Sequence, residues 1–375
     1  MTEETFAREL ERRADQIQGA PLALETVRGR ARRIQRRRRT AVAAGVAAAV
    51  AAVVLVPAVL TGGGSDRAPE PAPVPPAAPG ASVLHDGVVT LPSGDTVPLD
   101  VDDADVSQLA VLTDGRIVVG MSQPLGVRVY APDGTRQATY DVDTNAITSS
   151  AQDDAVAWVA EDLTVRVLAS GVAEPTTLAG IPMPGEASGS IDAVLDPEHV
   201  LVGDWNTTTG ELTVEGYREL TTSEPLRVTD VSPDGDLWAV QYADDSDPQF
   251  GCSGLYEPEA AQEMVARTCG AASLRFSPDG QHLLSLVGDN NMFGIGTTYD
   301  LDLEEVGGFE SAGKGDVISR AAWADATHLL VARTNWDTLQ WSLDRVGVDW
   351  GDAEVVVPEQ GGGNPEIVQE FVFSE

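Results

Sequence analysis

Thiols and imidazoles are scarce in this chain, with two cysteines and four histidines in 375 residues. Cys252 and Cys269 alone cannot build a zinc tetrad, and His85, His199, His282 and His328 are dispersed, so no metal site is expected. Neither G-x-S-x-G nor H-E-x-x-H occurs, which leaves no nucleophile elbow or zincin helix, and no catalytic residue is assigned. Basic charge nearly disappears after residue 40. Residues 41–375 hold 13 Lys/Arg against 53 Asp/Glu, a net of −40, and a surface that acidic repels phosphate backbones and argues against a nucleic-acid partner. Cofactor motifs fail on inspection, so no cofactor is expected. GFESAGKG (308–315) follows Walker A spacing as far as Lys314, but Gly315 stands where a Ser or Thr must bind magnesium. DVDTNA (141–146) opens like a calcium loop at Asp141, Asp143 and Asn145, yet Ala146 replaces the turn glycine and Gln152 the bidentate Glu.

What the chain does contain begins with arginine. Residues 1–40 carry 11 Arg and 6 Asp/Glu, and RGRARRIQRRRR (28–39) has eight of those arginines. The uncharged AVAAGVAAAVAAVVLVPAVL (41–60) follows at once. Twenty residues at about 1.5 Å each span about 30 Å, the hydrocarbon thickness of a bilayer. Arginines beside a span stay in the cytoplasm, so the N-terminus is expected inside and the rest outside the cell membrane. A preceding region of about 40 residues, an apolar run longer than a signal-peptide core and the lack of an A-x-A site favour a retained signal anchor over a cleaved leader. The expected order is a cytoplasmic Arg-rich juxtamembrane segment at 1–40, a transmembrane helix at 41–61, a Gly/Pro-rich linker at 62–80 and an extracytoplasmic domain at 81–375. Within the first segment, TEETFARELERRADQIQ (2–18) places Phe6, Leu10 and Ile17 along one side of a helix capped by Thr2 and stopped by Gly19 and Pro21. Forty residues are too few for a core, so this segment either contacts a cytoplasmic regulatory partner through residues 1–27 or lies on the anionic leaflet through its arginines.

The large remainder repeats itself. TDVSPDGDLWAV (229–240) is echoed by LRFSPDGQHLLSL (274–286), each a Pro-Asp-Gly turn between apolar runs, the pattern of a hairpin. Weaker echoes occur at 109–121, 147–160, 191–203 and 320–332. With Asp114, Asp154, Asp196, Asp234, Asp279 and Asp325 as markers the spacings are 40, 42, 38, 45 and 46. Two further strand-like runs follow each hairpin, as in VRVYAPDGTRQATYD (127–141), and a period near 40–45 residues with four strands per unit predicts propeller blades. Six units fit within 103–361. PEIVQEFVFSE (365–375) resembles a first strand and SVLHDGVVTLPSGDTVPLDV (82–101) the outer strands of a seventh, so an all-β propeller of seven four-stranded blades closed by both ends is expected, or six if those ends do not meet. Trp158, Trp238 and Trp323 fall on inner hairpins and are read as packing between blades.

Through VSPDGDLWAV and FSPDGQHLLSL the chain resembles the WD-repeat-like and TolB-like bacterial propeller families. Its layout is similar to actinobacterial single-pass proteins in which a short Arg-rich segment precedes an exported propeller. The two cysteines flank LYEPEAAQEMVAR in one unit, and outside the membrane they are expected to form a disulfide. The loops between second and third strands read GDWNTTTG (203–210), YADDSDPQFG (242–251), GDNNMFG (288–294) and RTNWDT (333–338). Trp205, Asp245, Asn290, Asn291, Phe293 and Trp336 on them are the candidate ligand contacts, suited to an envelope protein, a peptide or a saccharide. The expected function is a non-catalytic binding module anchored in the cell envelope. The alternative is a transmembrane regulator, anti-sigma-like or sensory, whose propeller senses and whose N-terminal segment contacts a cytoplasmic factor.

Overall fold

The structure, a computed structural model, describes residues 80–180, 190–204, 207–220, 222, 226–242, 252–258, 263–269, 271, 273–289, 292–310, 316–335, 337–338, 340–351, 353–361 and 371–374. The expected cytoplasmic segment, membrane span and linker, residues 1–79, lie outside these. Among the described residues no helix is long and apolar enough to cross a membrane.

Among the described residues, strands account for nearly all regular structure and form seven four-stranded antiparallel blades in a ring. Blade 1 spans residues 106–140, blade 2 142–180, blade 3 190–219, blade 4 226–269, blade 5 275–310 and blade 6 316–361. Within each, the four strands follow one another outward from the axis as hairpins. Blades 5 and 6 are also bridged at Phe293 and Ile318. Blade 7 takes its innermost strand, Val372–Phe373, from the C-terminal end and its outer three, Val83–His85, Val88–Thr90 and Thr96–Pro98, from the start of the ring. Val83 pairs with Phe373 and Leu84 with Val372, and Ser82 and Ser374 exchange two further hydrogen bonds of 2.7 and 2.9 Å. The two ends of the ring meet as the sequence predicts, and the ring is closed.

The second strand of a blade is covered on both faces, which is why it reads as a continuous apolar run: all six residues of Ala155–Ala160 are buried. Side chains of the inner two strands supply the packing between blades. Trp158 lies fully buried among Ala110, Val118, Val129 and Ile147 of blades 1 and 2. Trp238 fills the same role between blades 3 and 4, and Trp323 between blades 5 and 6. Hydroxyls also join blade to blade. Ser107 Oγ lies 2.9 Å from the carbonyls of Gly120 in its own blade and Asn145 in the next, and Thr229 Oγ1 lies 3.2 and 3.1 Å from those of Ala239 and Leu274. Gly120 is required there, because a Cβ would come 2.4 Å from the Asn145 carbonyl oxygen.

The two Ser-Pro-Asp-Gly turns are built alike. Ser232 Oγ donates to Asp234 (2.6 Å) and accepts from the Leu237 N–H (2.9 Å), while the Gly235 N–H closes the turn on the Ser232 carbonyl (2.8 Å). Ser277 repeats this with Asp279 (2.7 Å), the His282 N–H (2.9 Å) and the Gly280 N–H (2.8 Å). Gly235 and Gly280 have φ of +81° and +69°, the left-handed region that glycine enters without steric cost. Blade 2 differs from the expected alignment. Its turn is closed by the Asp153 N–H on the Ser150 carbonyl (3.0 Å), and Asp153 at φ +55° takes the glycine place. The marker aspartate of the other blades therefore corresponds to Gln152, while Asp154 sits beyond the turn and accepts from Ser150 Oγ (2.6 Å). Asp tolerates this backbone better than most residues, which is how a turn can persist without its glycine.

Candidate functional site

The ring has two unlike faces. On one, the turns between first and second strands crowd the axis. On the other, the tip face, lie the connections between second and third strands. A channel between them is lined by the innermost strands of all seven blades.

The turn face is tightly tied. Arg116 is buried, and its guanidinium donates to the carbonyls of Ala169 (2.6 Å) and Val172 (2.8 Å) in blade 2 and to Asp114 (2.8 Å). Burial opposes ionisation of Asp114, but the N–H groups of Gly171 and Arg116 and the Arg116 guanidinium outweigh it and hold the carboxyl below its ordinary value. Blade 6 repeats the device, with Asp325 accepting from the Thr327 N–H (2.8 Å) and from His328 Nδ1–H (3.0 Å) and meeting Arg345. There too burial is outweighed by these donors, and the carboxyl lies well below the usual range. His199 lies 2.8 Å from Asp196 at the corresponding place in blade 3, and His282 packs on Trp323 with ring centres 6.4 Å apart. His199 and His328 thus brace their turns, and His282 packs between blades. The Gln152 carboxamide reaches across to the Pro233 carbonyl of blade 4. Asp153 is pushed up to about 7 by burial and by the charge of Asp154.

The tip face carries the expected ligand loops. Tyr242 pairs with Cys252, Asp204 with Thr207, Asp289 with Met292 and Asn335 with Gln340, so four hairpin roots stand on the adjacent blades 3, 4, 5 and 6. In three of these the strand pairing continues to the residues just named, leaving two to four residues between the paired positions. Trp205, Asp245, Asn290, Asn291 and Trp336 lie outside the described residues; Phe293 lies on the third strand of blade 5, its backbone paired with Gly288 and Ile318. Cys252 and Cys269 form the expected disulfide between the third and fourth strands of blade 4, with Cα atoms 4.3 Å apart. It fixes the root of the 243–251 segment. Beside it, Ser253 Oγ donates to the Ala271 carbonyl (2.8 Å), which holds the crossover leading to Ser273 at the channel.

The wider part of the channel encloses a cavity of 280 Å³. Its charged lining consists of Arg227, Arg275 and Arg320 on three successive innermost strands, with Asp192 and Asp230. Asp192 has a fully buried side chain. It accepts from Thr209 Oγ1 (2.8 Å), Ser190 Oγ (3.1 Å) and Arg227 Nε (3.2 Å), which makes an ion pair across blades 3 and 4. Burial raises its carboxyl above the ordinary value against the pull of Arg227 and the hydroxyls. Asp230 accepts from the N–H groups of Val231 (2.8 Å) and Phe276 (2.7 Å). A smaller cavity of 130 Å³ continues toward the turn face past Asp153, Pro233, Pro278 and Trp323. The composition of the first strands gave no warning of this basic lining, because three arginines in different repeats are not a motif.

One group among the described residues is close enough to hold a metal ion: His85, Asp86 and Asp103, whose ligand atoms lie within 4.8 Å of one another. One Asp103 oxygen already accepts the Gly87 N–H (2.9 Å), and the Asp86 side chain is 88% exposed, so the set is thin for a resident ion.

No protein-family model and no curated protein sequence matches the chain. It is similar to one chain of a crystal structure of the mitotic checkpoint complex, with TM-score 0.48 and 11% identity over 83% of this chain and 89% of that one. At such a distance neither a partner nor an activity passes from one to the other.

Proposed function

We propose that the chain is a membrane-anchored, extracytoplasmic, non-catalytic binding module of the cell envelope, of the actinobacterial single-pass kind, whose seven-bladed ring presents its tip face to a protein, peptide or saccharide ligand. The observation that carries the interaction reading is the gathering of four hairpin roots on adjacent blades of a closed ring, a scaffold from which variable segments are carried side by side. The disulfide fits an oxidising compartment, and the uncharged span after eight arginines supports the anchor. The test is affinity capture from envelope extract with the full chain, repeated after Trp205, Asp245, Asn290 and Trp336 are changed together to alanine. Capture of the same partners by both proteins would refute the tip face. Topology is tested separately: a tag after Glu375 should be cut by protease in spheroplasts, and a protected tag would place the ring inside.

A second reading is favoured by the helical pattern at 2–18, whose apolar side has nothing within its own segment to cover it. In that reading the ring senses a ligand and residues 1–27 hold a cytoplasmic regulatory factor. Replacing residues 1–27 with an unrelated Arg-flanked leader leaves the first function intact and abolishes the second.

A further inference from the structure

A further cavity, of 530 Å³, lies between blades 3 and 4, beside the apolar core that joins them. It is larger than the two in the channel and of a size that small-molecule sites have. Cross-strand pairing decides what faces it. Trp238 pairs with Tyr256, so both rings stand on the face of blade 4 that meets blade 3, their centres 6.0 Å apart. Leu201 pairs with Glu211 and Glu211 with Arg218, so these three share the opposing face of blade 3, where Glu211 and Arg218 form an ion pair. Leu195 and Leu220 extend the apolar wall. Tyr256 is 3% exposed, and burial alone holds its phenol above the ordinary value, with no hydrogen bond or charge acting on it. A hydroxyl deep between two blades is thus left to the cavity, where only solvent or a ligand can accept its hydrogen bond. Arg218, by contrast, has a side chain 75% exposed and stands at the mouth.

We infer that this cavity is a binding site for a neutral mono- or disaccharide. The lining selects the class. Among the described residues its charges are the carboxylates of Glu211 and Glu219 against the guanidinium of Arg218, in a chain whose residues 41–375 carry a net of −40, so anions are repelled. Glu211 is already matched by Arg218, which removes the reason to hold an ammonium group. A purely apolar ligand would leave the Tyr256 hydroxyl unmet. A sugar ring meets both demands: its C–H face packs on Trp238 and the leucine wall, while its hydroxyls reach Tyr256, Glu211 and Arg218. The cavity is apart from the tip segments and from the anchor, so its test and the capture experiment fail independently.

The experiment is calorimetric titration of the full chain, in micelles of a detergent without a sugar headgroup, with maltose, cellobiose and N-acetylglucosamine, and separately with indole. Saturable binding of at least one sugar is expected. Tyr256→Phe keeps the ring and removes only the hydroxyl, so it should weaken that binding about tenfold. Arg218→Ala, at an exposed position, should weaken it severalfold, and carries the test alone if thermal unfolding shows that the Tyr256 variant has not folded. Tyr140→Phe, on the outer strand of blade 1, should leave it unchanged. Absence of binding by all three sugars at millimolar concentration overturns the proposal. So does binding of indole alone, the mark of a merely apolar cavity, and so does sugar binding that the folded Tyr256 and Arg218 variants retain in full.

Discussion

Asp153 carries two burdens at once, a left-handed backbone and a carboxyl pushed up to about 7 by burial and by Asp154. A raised carboxyl pKa means that the folded state holds a proton the unfolded chain has released, so ionisation of Asp153 costs stability as pH rises from about 4 through about 7. Asp153→Asn should therefore raise the unfolding temperature at pH 8 and change little at pH 4, and a gain independent of pH would refute the cause. Asp153→Gly should add about 1 kcal/mol by relieving the backbone as well. Asp114 and Asp325 act with the opposite sign. Their lowered values stabilise the fold above about pH 4, and that contribution is lost on further acidification. Asp192→Ala leaves Arg227 and Thr209 without their buried acceptor and should cost about 3–5 kcal/mol by denaturant titration. None of this was legible in the sequence beyond the presence of acidic residues in turns. Asp153 and Asp154 look interchangeable in SSAQDDAV, and only the hydrogen bonds show which one occupies the glycine place.

Strands and hairpins were far more readable. The turns at Asp234 and Asp279 announce themselves because Ser, Pro, Asp and Gly each fill a distinct stereochemical need, and the tryptophans fall where blades pack. How far the strands run is less legible. DVDTNA reads as a loop, but Val142–Ser149 is an innermost strand with an irregular stretch between its pairings at Val142 and Ile147, and GDNNMFG is nearly all hairpin. Asn and Asp are poor strand formers, so propensity points to coil where the ladder in fact continues. The disulfide joins strands already paired, so its effect should be local. Reducing it, or changing both cysteines to serine, should cost about 3 kcal/mol by the entropy of a loop of this length, and should raise amide exchange first in the outer strands of blade 4. A loss spread evenly round the ring would contradict that assignment. Trp158→Ala should cost about 3–5 kcal/mol, because a fully buried indole between two blades leaves a cavity that neither can fill.

Seven sheets around an axis have no terminal edge only if the last is shared by both ends of the chain, and here it is. Periodicity made the ring legible because each blade needs the same apolar rhythm. The candidate ligand residues follow from it only as positions on a face, since nothing in a repeat specifies what its variable tips must grip. Among the described residues the joint consists of two strand pairs and the reciprocal contacts of Ser82 and Ser374, with Phe371 and Phe373 packed behind them. Deleting residues 371–375 should expose the Val83–His85 strand and drive self-association, visible by light scattering of the folded protein. A monodisperse truncated ring would show that the joint is dispensable. This geometry also decides where mechanical load falls. A pull applied between the first and last residues of the ring acts on a clasp a few ångströms long, while every other blade is bypassed. Such a molecule is stiff to crowding and thermal jostling, yet has one latch at which tension could undo it.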